Sequence, residues 1–474
     1  MQIINKLNSI QSPLANLPFK TRGYLSLFGG FLIHLILGTF YLWSTMNTYV
    51  TSYLRNDGQN YTNADVNAVF PFMMLAINIC NPFGVILAKK IGFRLQAVIC
   101  SFILGGSVVL SSFFVENFVL FSFFYGFMFG FATGLVYMIP FNTSYLYFPH
   151  RKGFASGFIS AGFGFGATLF LWLVYSFMNP HDIRPVNSLF PKQVSENLPN
   201  TLLTLGFLYF IISLIGALLI ERPTQEEIDQ VEKEIQQNES QKEMQLLKND
   251  YQKIEDKNIT SNYLPNECQT FQDGMNTKII YLTIAMATLF CCYGIMIIAN
   301  FKPYASQNNY NDSFLTFVAT IGSIINGLAR LFWGYLMEKV TFKQIIVYNL
   351  GIQIFISSTL NLIIDIPFLF FIYIILAYFS YGGWYAKLPA LVAKIFGKKV
   401  GTTIYGITFT GFTIAGWIQF FLVRQVQQDI GWGNLFLIFT IIQILSLIYF
   451  KNMDFDFDWR AFYKSKQSKQ DSLA

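Results

Sequence analysis

Apolar residues in this 474-residue chain gather into twelve blocks, and no other feature constrains the fold as strongly. A helix needs about 20 consecutive, mostly apolar residues to cross a bilayer. The blocks lie near 24–50, 65–88, 93–114, 117–140, 153–178, 201–221, 279–300, 314–337, 343–364, 366–392, 401–424 and 431–450. Charged residues make up only 12% of the chain, half of the roughly 25% usual in soluble domains. A soluble enzyme, a disordered chain and a disulfide scaffold are all excluded. The expected fold is an all-α membrane protein of two six-helix bundles. The segments are a tail (1–23), a first bundle (24–221), a charged helical linker (222–278), a second bundle (279–450) and a final tail (451–474).

Loop charge predicts the orientation, because Lys and Arg collect on the cytoplasmic side. With both termini placed there, that side holds 25 Lys and Arg and the other side 5. The latter are Arg55, Arg184, Lys192, Lys302 and Arg424. The net charge of +6 therefore needs no anionic macromolecule, and no nucleic-acid partner is expected. The first 22 residues carry Lys6, Lys20 and Arg22, no acid and no apolar core. They read as a cytoplasmic tail, with a mitochondrial presequence as the alternative. The linker is rich in helix formers, with Ile228, Val231 and Ile235 as a narrow apolar stripe. It reads as a tether on the cytoplasmic face or a partner-binding element. The five cysteines show neither metal-ligand spacing nor an evident disulfide pairing. No metal or cofactor is expected. Asn60-Tyr-Thr and Asn311-Asp-Ser are sequons on the face away from the termini.

Two loops echo each other across the halves. GVILAKKIGFR runs from Gly84 to Arg94 and contains Lys89 and Lys90. GYLMEKVTFK runs from Gly334 to Lys343 and contains Glu338 and Lys339. Glycine there permits close helix packing, and the charges would hold the bundle ends together. A repeat in a 6+6 layout fits a carrier of two pseudo-symmetric bundles. The loops resemble the loop motif of the major facilitator superfamily. The usual acid of the first copy is absent.

Further stretches resemble the oxalate/formate antiporter, or monocarboxylate-porter-like, family within it. They are GTFYLWSTMNTY (Gly38 to Tyr49), GLVYMIPFNTSYLYFPHRKGFASGFISAGFGFGA (Gly134 to Ala167), NGLARLFWG (Asn326 to Gly334) and PALVAKIFG (Pro389 to Gly397). The likeness covers nearly the whole chain outside the linker. It implies that Arg330, in the eighth span, binds a substrate carboxylate. It also implies a Lys in the eleventh span of dicarboxylate exchangers, where this chain has Phe412.

The residues point the same way. No Asp or Glu lies deep in a predicted span, which counts against carboxylate-driven symport of sugars or cations. Two cations do lie inside spans, Arg330 and Lys387. A buried guanidinium is costly unless paired or wetted, and its planar fork suits a carboxylate. The alternative for Arg330 is a helix-end contact with carbonyls or the loop motif. For Lys387 the alternative is a stem that snorkels to the interface. Tyr41, Trp43, Tyr137, Tyr381, Trp384 and Tyr385 are candidates to line a cavity with apolar walls and single donors. His34 could relay a proton, or simply hydrogen-bond within the bundle. The glycine run GFGFG (Gly162 to Gly166) has no preceding strand and reads as close helix packing, not a nucleotide loop.

The expected activity is secondary transport of a small organic anion by alternating access, by exchange or linked to protons. The expected form is a monomer in the lipid bilayer, in the plasma membrane or an organelle membrane. An amino-acid or neutral-solute transporter and a non-transporting sensor on the same fold are the alternatives. A membrane-bound enzyme would need buried His/acid pairs that the spans lack.

Overall fold

The computed structural model describes residues 14–471 except 187–188, 231–232, 234–264, 266, 338, 452, 454 and 456. Among these, twelve helices are long and apolar enough to cross a membrane. They are α1 (Phe19–Asn56), α2 (Asn63–Ile91), α3 (Phe93–Phe113), α4 (Phe118–Tyr147), α5 (Phe154–Met178) and α6 (Lys192–Leu219), then α7 (Lys278–Ser306), α8 (Asp312–Met337), α9 (Phe342–Leu362), α10 (Pro367–Tyr385), α11 (Ile404–Gln425) and α12 (Gln427–Lys451). Each overlaps one predicted block. The protein is an integral membrane protein, and twelve crossings bring its two ends to one face, here called the terminal face. Phe83, Phe113, Leu362 and Ile448 are more than half exposed. Such apolar surface belongs against lipid.

The packing repeats with a shift of six. Helix α1 packs on α5, α2 on α4 and α3 on α6; α7 packs on α11, α8 on α10 and α9 on α12. Between the halves α5 lies on α8 and α2 on α11, the same pair exchanged by the pseudo-two-fold. Glycine makes the closest crossings. A Cβ on Gly84 would lie 2.5 Å from the Leu135 carbonyl oxygen, so α2 meets α4 almost backbone to backbone. In α5 a Cβ on Gly166 would lie 2.4 Å from Gly38 of α1, and one on Gly164 would lie 2.3 Å from Gly327 of α8. The GFGFG run thus faces its own half and the other half at once.

A short 3₁₀ turn, Gly38–Leu42, interrupts α1 and sets the direction of Tyr41. The helix that begins as α10 continues past Tyr385 to a break at Gly397, whose φ of +77° suits glycine. The sequence reading treats 451–474 as a tail, but Trp459–Asp471 forms a further helix, α13. It docks on the terminal end of the second half. Trp459 Nε1 donates to the Ile395 carbonyl at 2.6 Å, Tyr463 Oη donates to Asp273 at 3.1 Å, and Lys466 pairs with Asp273. Of the linker, residues 222–230, 233, 265 and 267–278 are described. Glu227 pairs with Arg22 of α1. Val231 and Ile235 lie outside the described residues.

Candidate functional site

Arg330 sits on the face of α8 that meets the first half, and it is 4% exposed. Its Nη2 donates to Tyr41 Oη at 3.0 Å and to Asn326 Oδ1 at 3.3 Å. Its Nε has no hydrogen-bond partner. The guanidinium carbon lies 5.1 Å from the Phe163 ring centre and 4.8 Å from that of Tyr385. Among the described residues no acidic side chain pairs with it. The charge is therefore held by one phenol, one amide and two ring faces. Such contacts stabilise a cation but do not neutralise it.

The rest of the cage is aromatic. Tyr381 and Tyr385 share a hydroxyl contact of 2.6 Å. They stand one turn apart on α10, so both face the same way. Tyr41 meets Phe163, Tyr378 and Tyr381 edge to face. Phe412 stacks on Tyr385 at 4.7 Å, closing the cage where the family likeness anticipates a cation in dicarboxylate exchangers. Tyr137 packs on Phe163 and on His34. A small cavity beside the cage is lined by Phe40, Met74, Ile77, Thr133, Tyr137, Phe163, Tyr385 and Phe409. His34 is fully buried; its Nδ1 donates to the Gly30 carbonyl at 3.0 Å and its Nε2 is unpartnered.

Arg330, Tyr41, Tyr137, Tyr381 and Tyr385 thus come together between the halves, with His34 one ring behind. Three other candidates lie elsewhere. Trp43 turns into the first half, where Nε1 donates to Asn67 at 3.0 Å and the ring packs on Tyr125. Trp384 packs on Phe290 of α7 inside the second half. Lys387 is wholly buried with its ammonium 3.7 Å from the Trp384 ring centre and 4.0 Å from that of Trp333. It does not snorkel. Its Nζ has no hydrogen-bond partner. Two contacts that the sequence reading passed over are Phe163 and Asn326. Asn326 precedes Arg330 by one turn, a spacing that was readable.

The loop motif is only partly a packing device. Gly84 is pressed on α4, but a Cβ on Gly334 would meet nothing within 4 Å, so close packing fails as its reason. Lys89 and Lys90 are exposed. Arg94 bonds Glu221 at 3.2 Å within its own half rather than across the two. Lys339 lies over the Tyr335 ring. Glu338 lies outside the described residues.

Lys302, expected in a loop after the seventh span, lies in a helix instead. Helix α7 extends to Ser306, so Lys302 is inside it and wholly buried. It pairs with Asp312, equally buried at the start of α8. Tyr49 of α1 donates to the same carboxylate, as does Asn179 at the end of α5, at 3.0 Å. Nearby, Asn67 of α2 donates to Asn300 of α7 at 3.0 Å, and Asn300 donates to Gln419 of α11 at 2.9 Å. Arg424 pairs with Asp65 at 2.7 Å. These groups close the face away from the termini.

Twelve spans in two related halves, meeting around a buried cation in an aromatic cage, define a membrane carrier. The chain matches the Major Facilitator Superfamily over residues 24–419, and it belongs to that family of transporters. It is 24% identical to apicoplast pyruvate carrier 1 of Toxoplasma gondii, over 87% of this chain and 85% of that one. It is 24% identical to the oxalate:formate antiporter of Oxalobacter formigenes, over 67% of this chain and 65% of that one. Among solved structures, the inward-open xylose transporter of E. coli superposes with a TM-score of 0.65 at 15% identity, over 92% of this chain and 96% of that one. A nucleoside transporter superposes with a TM-score of 0.62 at 14% identity, over 91% and 98%. At such identity these two structures establish the fold alone.

Proposed function

We propose that this protein carries small organic anions with a single carboxylate by alternating access, with Arg330 as the anchor. The observation that carries the reading is a fully buried guanidinium between the halves with no acidic partner among the described residues. A charge so placed calls for a counter-charge, and a carboxylate matches its fork. Walls of Tyr41, Tyr137, Phe163 and Tyr385 suit a short organic body and supply hydroxyl donors. One cation favours a monoanion, because Lys387 is held in another layer by two indoles and Phe412 fills the remaining wall. Two relatives named for pyruvate and for oxalate and formate support a small carboxylate. The loop-charge asymmetry supports cytoplasmic termini, and moving Lys302 into a helix sharpens it.

The test is counterflow in proteoliposomes, with monocarboxylates, dicarboxylates, amino acids and sugars as competitors. Monocarboxylates are expected to compete and neutral sugars not to. Arg330→Gln should weaken the apparent affinity by about 3 kcal/mol, or roughly a hundredfold, with insertion intact. Unchanged uptake in that variant, or competition by neutral sugars alone, refutes the reading.

A further inference from the structure

The closed face holds a charge pair that the substrate site does not use. Asp312 accepts from Tyr49 and Asn179, both of the first half, while its counter-ion Lys302 belongs to its own half. Lys302 also lies 5.0 Å from the centre of the Tyr49 ring. The other titratable groups facing this carboxylate are Tyr175 of α5 and Asp182 in the loop after it. Asp182 accepts from the backbone and hydroxyl of Ser313, next to Asp312.

We propose that Lys302 and Asp312 form a charge-neutral lock in the buried part of this face, which lets the two halves part there without stranding an uncompensated buried charge. The Arg424–Asp65 pair, which does cross the halves at this face, is 51% and 23% exposed, so water takes over its charges when it parts. Opening breaks the hydrogen bonds from Tyr49 and Asn179, both uncharged donors. The ion pair travels intact with the second half. A lock with its two charges on opposite halves would leave a lone charge in each wall at every cycle, and burying a lone charge again is expensive. Here closure buries a pair that is already compensated. Lys302 is thus a positioning residue: it keeps Asp312 available as an anionic acceptor for the first half.

The arrangement makes a specific prediction for pH. In Lys302→Met the closed state must bury a bare carboxylate or take up a proton first. Closure in that variant should then favour acid, gaining up to about tenfold per pH unit where one proton is taken up. In the double variant Lys302→Met/Asp312→Asn neither charge of the pair remains, so the acid dependence should vanish. Spin labels at Asp57→Cys and Asn308→Cys, exposed positions on the two halves at this face, report the opening by electron–electron distance in nanodiscs. The full chain is measured without substrate at about pH 7.5 and about pH 5.5, since acid favours the neutral form of a carboxyl buried without its counter-ion.

The expected result is a short distance at both pH values in the wild type and the double variant. Lys302→Met should show a distance several ångström longer at the higher pH, returning toward the short one in acid. The proposal is overturned if Lys302→Met stays short at both pH values. It is equally overturned if the double variant opens as far as the single one, which would mean lost packing rather than uncompensated charge. No outcome depends on which solute Arg330 binds, so failure here leaves the transport reading untouched.

Discussion

A guanidinium whose Nη2 is engaged by Tyr41 and Asn326, with Nε unpartnered, keeps donor capacity in reserve. Arg330 differs in this from Lys387, the other cation that the sequence alone places inside a span. Lys387 lies two residues beyond Tyr385, which is about 200° around the helix, so its side chain leaves α10 on the far side from the cage. Lys387→Met should therefore leave the apparent substrate affinity within about twofold, since a distant site couples by only a few tenths of a kcal/mol. Its melting temperature should be equal or higher, because replacing an unpaired buried cation with an apolar residue removes a desolvation cost. Counterflow and a melting curve in detergent check both parts, and an affinity loss like that of Arg330→Gln would place Lys387 in the site. Both cations were legible in the sequence, since intramembrane charge stands out. Their azimuth was equally readable and separates them. Trp43 and Trp384 were not separable in this way, because an aromatic in an aromatic-rich span carries no mark of which neighbour it meets.

Helix ends were the least legible elements, and the reason is visible in α7. Its apolar run ends near Asn300, and the following FKPYAS reads as a loop because it combines a lysine and a proline. The helix continues because Lys302 finds Asp312, a partner on another helix that local hydropathy does not encode. The helix α13 was hidden for a similar reason, its composition being that of a polar tail. Trp459, Tyr463 and Lys466 nevertheless share one face at helical spacing, and that face docks. Burial opposes ionisation of the Asp273 carboxyl, but hydrogen bonds from Lys466, Thr270 and Tyr463 prevail and hold it below the usual carboxylate range. A depressed folded value stabilises docking above the ordinary range, near pH 4, and is lost as pH falls through that depressed value. Docking of α13 should therefore be intact at neutral pH and weaken only in strong acid. Asp273→Asn should loosen it at neutral pH by about 1 kcal/mol, the half-exposed Lys466 limiting the loss. Hydrogen exchange across 459–471 checks this, and unchanged protection in the variant would remove Asp273 from the clasp.

Across the whole molecule the two halves touch most intimately where α5 crosses α8 at Gly164 and Gly327. Two-fold repetition of the packing was legible from the 6+6 layout, whereas this contact needed both halves in place. A side chain at Gly164 would drive the halves apart. Gly164→Val should suppress transport, read as counterflow, by tenfold or more, roughly the 1–3 kcal/mol that overpacking costs, while each half still inserts. Normal counterflow would show that the crossing is not needed. The crossing also has a mechanical meaning, that of a fulcrum. Asp312 lies 15 residues from Gly327 along α8, an arm of about 22 Å at 1.5 Å per residue. A tilt of about 15°, ordinary for rigid-body rearrangements, would swing the arm's tip through about 6 Å. Arg330, less than one turn from the pivot, would move by little more than 1 Å. The same rotation that parts the far face leaves Arg330 almost still, so an anion held there, as we propose, need not let go of its handle while the gate swings.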